Sequence, residues 1–354
     1  LLTDFVEGGR MIILLVVGII VGIIILYLAV VTFAPGFSVP KQPLVKIEDE
    51  VRKETIKPPS FRKDVTFEAK GTKVSAWFYL PEDLSTPVPC IIMGHGFGGT
   101  KDILLERYAI HYRNAGYAVL AFDYRYFGTS GGEPRQLMFI SYQLEDYRAA
   151  VKYVRSLKEI DSEKIVLWGT SASGGYGIVL AAQDKKIAGV VAQCPGLDHK
   201  ASEQMIRDEL GIKHVLRLFV HAQRDMMRAR LGLSPHKIPL VGKPGTMAFL
   251  PILEAYEGYR KIVSKHFVNE ICARVILRSH GFNPSKHIQN VRCPILIQIC
   301  DHDKLAPIRP ETERELRKHA EVKRYPIGHF EIYAGDNFKR AVNDQLEFFE
   351  KNLT

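Results

Sequence analysis

A serine hydroxyl attacks a carbonyl carbon when a neighbouring base removes its proton. Imidazole serves as that base when a carboxylate fixes its tautomer and stabilises the imidazolium. The chain carries candidates for such a set in the order serine (Ser171), carboxylate (Asp301 or Asp303), histidine (His329). Ser171 lies in KIVLWGTSASGG (164–175), where an apolar strand-like run meets Gly169-Thr170-Ser171-Ala172-Ser173-Gly174 and a helical stretch follows. A serine on a sharp strand-to-helix turn needs small residues two places to either side, because the backbone there is strained and crowded; this is the logic of G-x-S-x-G. The fifth position here is Ser173, which is small enough to fit. Ser173 is itself the rival nucleophile, but it would sit half a turn into the helix and face away.

The other members lie downstream. PILIQIC ends at Asp301-His302-Asp303-Lys304-Leu305-Ala306-Pro307, and the strand-like Val322–Tyr325 runs into Pro326-Ile327-Gly328-His329-Phe330. Each group occupies a loop at the C-terminal end of a strand, where a sheet brings such loops together. Asp301 is the alternative acid. The glycine-rich turn Met93-Gly94-His95-Gly96-Phe97-Gly98-Gly99 lets backbone N–H groups converge on a developing oxyanion. His95 reads as a structural hydrogen-bonder rather than a second base.

These motifs resemble those of the α/β-hydrolase superfamily, nearest to esterases and to dienelactone-hydrolase-like or Xaa-Pro-peptidase-like members. The resemblance rests on the elbow Gly169–Gly175, the D-x-x-x-P frame Asp303–Pro307 and the terminal Gly-His-Phe at Gly328–Phe330. It covers residues 63–354, with 197–290 matching only in position. It implies Ser171 as nucleophile, His329 as base, Asp303 as acid, and the amides of Phe97 and Ala172 as the oxyanion hole. The segment Asp123–Gly131 is similar to the family's D-x-R-G-x-G-x-S turn, with Asp123 bracing nearby loops.

The elements that must position these groups follow a strand–helix alternation from residue 63. Strand-like runs fall at 64–69, 74–80, 90–93, 118–123, 164–168, 188–193, 294–300 and 322–325. Helical stretches fall at 101–114, 138–157, 174–183, 310–319 and 337–351. The first two strands follow each other without a helix, which suits an antiparallel start. The rest suit right-handed βαβ crossovers. The fold class is therefore α/β, with a mostly parallel eight-stranded sheet and helices on both faces, and the resemblance implies that it is the α/β-hydrolase fold. The core comprises 63–196 and 291–354, and residues 197–290 form a largely helical cap over the C-terminal edge of the sheet. The cap holds fifteen Lys and Arg against eight Asp and Glu, most of the chain's formal net charge of +9. That excess suits a solvated face, or attraction to anionic lipid headgroups.

Ahead of the core, 1–10 form a short N-terminal segment. Residues 11–33 (MIILLVVGIIVGIIILYLAVVTF) are apolar and uncharged. As a helix they are about 34 Å long, enough to cross a ~30 Å hydrocarbon core. The stretch is too long for a signal peptide, only Arg10 is basic before it, and Pro35 follows the most plausible cleavage site at Ala34. Residues 34–62 hold five prolines among charges and read as an extended linker. Arg10 alone precedes the span, whereas Lys41, Lys46, Arg52 and Lys53 follow it, which places the catalytic domain on the cytoplasmic side. Five scattered cysteines without a CxxC pair agree with a reducing compartment. Gly18 and Gly22 form a G-x-x-x-G pair that permits self-association or packing on a membrane partner.

Seven of the twelve histidines fall in the cap, none at metal-ligand spacing, and no phosphate-binding loop is present, so neither metal, cofactor nor nucleic acid is expected. The expected activity is that of a membrane-anchored, single-pass serine hydrolase cleaving an apolar or lipid-derived carboxylic ester. The alternatives are a catalytically idle subunit of a membrane complex and a peptidase of the same fold.

Overall fold

A computed structural model describes residues 2–44, 59–278 and 281–353. The eight strands are β1 (Arg62–Ala69), β2 (Thr72–Tyr79), β3 (Val88–Gly94), β4 (Ala118–Phe122), β5 (Ile160–Thr170), β6 (Ile187–Gln193), β9 (Ile295–Cys300) and β10 (Glu321–Tyr325). They form one sheet in the order β1-β2-β4-β3-β5-β6-β9-β10. β1 and β2, and β2 and β4, pair antiparallel, and every later neighbour is parallel. All eight expected strands are present. Parallel strands covered on both faces read as continuous apolar runs, and Cys90–Gly94 of β3 and all of β9 are buried.

Helices α2 (Leu105–Asn114), α3 (Ile140–Arg155), α4 (Ala172–Gln183), α8 (Pro310–Leu316) and α9 (Gly335–Leu353) occupy the expected stretches. α4 starts at Ala172, two residues before the expected boundary, because the turn at Ser171 enters the helix directly. Gln298 is the one polar residue in β9. It is fully buried and belongs to a polar core in which the Gln345 amide donates to both Gln193 and Gln298, and Gln298 donates to Tyr325.

Residues 197–290 are less helical than their pattern suggests. Helices α5 (His199–Met205), α6 (Gly211–Arg230) and α7 (Leu253–Ile262) are present, with a π-helical turn at Ile206–Leu210. Between α6 and α7 the chain is mostly irregular, apart from a strand, β7 (Lys237–Ile238), that pairs with β8 (Ile271–Cys272). Pro235, Pro239, Pro244 and Pro251 explain this break, since each removes a helical N–H and clashes with the preceding turn. The seam between cap and core is pinned by Asp198: one oxygen accepts the Ala201 amide at the start of α5, and the other takes the Arg309 guanidinium at 2.8 Å.

The apolar N-terminal segment forms helix α1 (Leu2–Phe33), of which Arg10–Phe33 is long and apolar enough to cross a membrane, with mean hydropathy 3.3. Apart from the adjoining residues and backbone of α1 itself, no atom lies within 4 Å of where a β-carbon would stand at Gly18 or Gly22. The last turn of α1 is held by the cap: Arg224 donates to the Val31 carbonyl at 2.6 Å and Arg228 to that of Thr32 at 3.3 Å. Residues 35–44 of the expected linker are also tied to the cap. The Asn269 amide donates to the Gln42 carbonyl at 2.7 Å, and Lys41 pairs with Glu270 at 3.1 Å. Residues 45–58 of that linker lie outside the described residues.

Candidate active site

Ser171 joins β5 to α4 with φ +56° and ψ −120°, a conformation L-residues rarely occupy. Its surroundings hold it there. The Ser171 N–H donates to the Gln193 carbonyl at 2.9 Å, and its carbonyl accepts from Gly174 and Gly196, each at 3.1 Å. A β-carbon at Gly169 would lie 2.2 Å from the Ser173 carbonyl oxygen, so the close approach demands glycine there.

Ser173, the rival nucleophile, is fully buried and faces away from the cavity that Ser171 lines. Its hydroxyl donates to the His95 carbonyl and pairs with the Tyr124 hydroxyl at 2.7 Å. The departure from glycine at the fifth position thus has a structural use: Ser173 ties the turn after β3 to the elbow.

That turn crosses directly over Ser171. A β-carbon at Gly96 would stand 3.2 Å from the Ser171 β-carbon, so a side chain there would crowd the serine. Phe97 follows, its ring stacked on Phe249 of the cap at 4.9 Å and its carbonyl accepting the Tyr259 hydroxyl. Phe97, Ala172, Ser171 and His329 all border one cavity. Ala172 is the first residue of α4, where the amide has no acceptor within the helix and stands at its positive end. His95 is buried and bonded to the Gly96 carbonyl at 2.9 Å, and burial holds its pKa below the usual imidazole value. It is a hydrogen-bonder, as expected.

Asp303 and His329 are brought together across the ends of β9 and β10. The His329 Nδ1 lies 2.6 Å from the Asp303 Oδ2, with both side chains almost fully buried. The other Asp303 oxygen accepts the amides of Leu305 and Ala306, each at 2.8 Å, which fixes the carboxylate plane. Burial disfavours a charged imidazole, yet the Asp303 carboxylate, joined by Cys194, the Asp303 hydrogen bond and Glu254, outweighs that and holds the His329 pKa above the ordinary value. Asp301, the alternative acid, instead pairs with Arg324 at 2.7 Å. The D-x-x-x-P frame therefore selects the carboxylate that meets the histidine.

Asp123 braces the neighbouring loops, as its motif suggested. Its carboxylate accepts the Lys101 amide at 2.6 Å, the Lys101 ammonium at 2.6 Å and the Thr129 amide at 2.9 Å.

Two residues of α7 carry site geometry that no local motif announced. Glu254 accepts the His329 amide on one oxygen at 2.8 Å and the Lys304 amide on the other at 3.0 Å. Tyr259 holds the Phe97 carbonyl. Between them, Gly258 lets α7 lie against Phe330, since a β-carbon there would stand 2.0 Å from the ring. Which loops α7 meets depends on how the cap folds back over the core, and the residues of 253–262 alone do not specify it.

The cavity between cap and core has a volume of about 660 Å³ and is walled mainly by apolar side chains such as Met138, Val215, Leu218, Ile276 and Phe282. This size and character suit a small organic ligand. Among the described residues, no group of three or more His, Cys, Asp or Glu is placed to hold a metal ion.

Comparison with known proteins agrees with this architecture. Residues 89–221 match the alpha/beta hydrolase fold family. The chain is 37% identical over 292 residues to the quorum-quenching protein AidA of Acinetobacter baumannii, covering 81% of this chain and 94% of that protein. It is 30% identical over 205 residues to the thiohydrolase aneE of Aspergillus aculeatus, covering 57% of this chain and 59% of that one. An esterase of Pyrococcus furiosus, Pf2001, superposes with a TM-score of 0.57 at 18% identity, over 90% of this chain and all of that one, a likeness of fold. The chain belongs to the α/β-hydrolase fold family.

Proposed function

We propose that this protein is a serine hydrolase that cleaves a carboxylic ester through an acyl-enzyme on Ser171. The observation that carries the reading is the buried Asp303–His329 pair bordering the same cavity as Ser171, whose backbone is held at φ +56°. In this mechanism His329 takes the proton from the Ser171 hydroxyl as it attacks the ester carbonyl. The oxyanion gathers the amides of Phe97 and Ala172. The proton then passes to the departing alkoxide, and water, activated by the same imidazole, releases the acid. Asp303 keeps His329 in the tautomer whose Nε2 can accept. The predominantly apolar cavity favours an apolar acyl group. The hydrolase family and a thiohydrolase relative support carbonyl chemistry of this kind. Helix α1 is read as a single-pass anchor with the catalytic domain on the cytoplasmic side, where Gly18 and Gly22 offer a packing surface to a second helix.

The test is labelling of the full chain with a fluorophosphonate probe. Wild type should label and Ser171→Ala should not, while both remain folded by circular dichroism. A folded wild type that stays unlabelled would make the idle-subunit alternative correct.

A further inference from the structure

Helix α6 carries an apolar face that the fold leaves open. At about 100° per residue, positions 212, 216, 219 and 223 fall within a stripe about 60° wide. Ile212, Leu216 and Phe219 are 69%, 57% and 44% exposed, an unusual cost for three large apolar side chains on one helix face. On one flank stand the exposed Lys213 and Arg217. On the other, Val215 and Leu218 line the cavity, and Ile212 belongs both to the cavity wall and to the exposed stripe. The stripe therefore begins at the cavity's rim.

Its other end meets α1. Gln223 accepts the Tyr27 hydroxyl, and in the next turns Arg224 and Arg228 hold the carbonyls of Val31 and Thr32. The open face of α6 is thus continuous with an established contact to the end of a helix whose length and composition suit a membrane span. The residues of α1 that α6 touches, Tyr27, Val31 and Thr32, belong to the last turns of that candidate span. An apolar stripe with basic residues beside it is the pattern of a helix lying in the plane of the interface.

We propose that α6 rests in the headgroup–acyl boundary of the bilayer that α1 crosses, with Ile212, Leu216 and Phe219 inserted, and that the cavity opens onto the lipid. The substrate class is then a long-chain acyl ester that partitions into the membrane and enters past Ile212. This rests on the reading of Ser171 as nucleophile and of α1 as anchor.

The test uses the full chain reconstituted in phosphatidylcholine–phosphatidylglycerol vesicles. With Leu216→Trp, the added emission over that of Trp77 and Trp168 should be blue-shifted and should lose at least half its intensity when the lipids carry brominated acyl chains. Emission typical of water, or shielded emission insensitive to bromine, overturns the proposal; the latter would mean that a protein surface covers the stripe. The double variant Leu216→Glu/Phe219→Glu should lower hydrolysis of a vesicle-embedded long-chain ester at least tenfold and leave a soluble short-chain ester within twofold. Equal loss on both substrates, or no loss on either, overturns it. If wild type turns over neither ester, the reading of Ser171 fails, whereas the quenching still reports independently where the stripe lies.

Discussion

Glu254 of the cap accepts the backbone N–H of His329 at 2.8 Å. Its second oxygen takes the amide of Lys304, the residue after Asp303, at 3.0 Å. One carboxylate on α7 therefore clamps together the two loops that present Asp303 and His329. The cap is not only a wall of the cavity; it sets the spacing of groups that belong to the core.

Removing that clamp should impair turnover more than stability. Glu254→Ala frees both loops, and misplacement by about 1 Å lowers rates on the order of 100-fold. A fall in kcat of about 10- to 100-fold is expected for a short-chain ester, with little change in KM and a melting temperature close to wild type. Glu254→Gln retains one acceptor oxygen and should recover part of kcat. Steady-state kinetics with thermal melts check this, and an unchanged kcat in Glu254→Ala would remove Glu254 from the positioning role.

The Asp303–His329 pair makes a statement about pH. His329 acts as a base only when neutral, and Asp303 holds its pKa above the ordinary imidazole value. Activity should therefore rise with pH along an acid limb that lies above about 6.5. In Asp303→Asn the largest effect holding that pKa up is lost while burial remains, so the limb should move to lower pH while kcat falls by about 10⁴-fold. For stability the sign is the reverse. A pKa raised in the folded state contributes stability that is complete below about 6.5 and is lost as pH rises through the folded value. Profiles of kcat/KM for the two proteins decide the matter; an acid limb at or below 6.5 in wild type would contradict the assignment.

Much of this site was readable from residue types because it follows from strand ends. Ser171 and Asp303 follow the apolar runs that become β5 and β9, and His329 follows the short, partly charged strand β10; parallel strands in one sheet deliver their C-terminal loops to one edge. Residue type alone left Asp301 and Asp303 both available; Asp303 turns toward His329 and Asp301 toward Arg324. The cap was legible only as an insertion. Its prolines break the helical pattern between Arg230 and Leu253, and the contacts of Glu254 and Tyr259 depend on a return path that no local periodicity encodes. Tertiary packing over tens of residues sets those contacts.

Tyr259 tests the cap's grip on the oxyanion turn. Its hydroxyl donates to the Phe97 carbonyl, and the amide of that same residue is the proposed oxyanion donor. Tyr259→Phe removes one hydrogen bond, worth about 1 kcal/mol of stability. A three- to tenfold fall in kcat is expected, because one donor loses its fixed aim while Ala172 keeps its own; a complete loss of a donor lowers the rate by about 10²–10³-fold. The fluorophosphonate reaction should slow in parallel, since it also places a negative oxygen in the hole. Slowed ester turnover with an unchanged labelling rate would locate the effect in substrate binding instead.

Ser173 separates the two serines of the elbow by their function. Its buried hydroxyl links Tyr124 and the His95 carbonyl, so Ser173→Ala leaves at least one polar group without its partner. A destabilisation of about 1–3 kcal/mol is expected, the range for an unsatisfied buried group. Because the turn over Ser171 depends on that link, kcat should fall severalfold, yet the protein should still take up one equivalent of probe at Ser171. Ser171→Ala should show the opposite pattern, with labelling abolished and stability preserved or raised, since the hydroxyl of Ser171 faces the cavity. Intact-mass spectrometry of the labelled variants, read beside their melting curves, distinguishes the roles. Labelling lost in Ser173→Ala but kept in Ser171→Ala would exchange them.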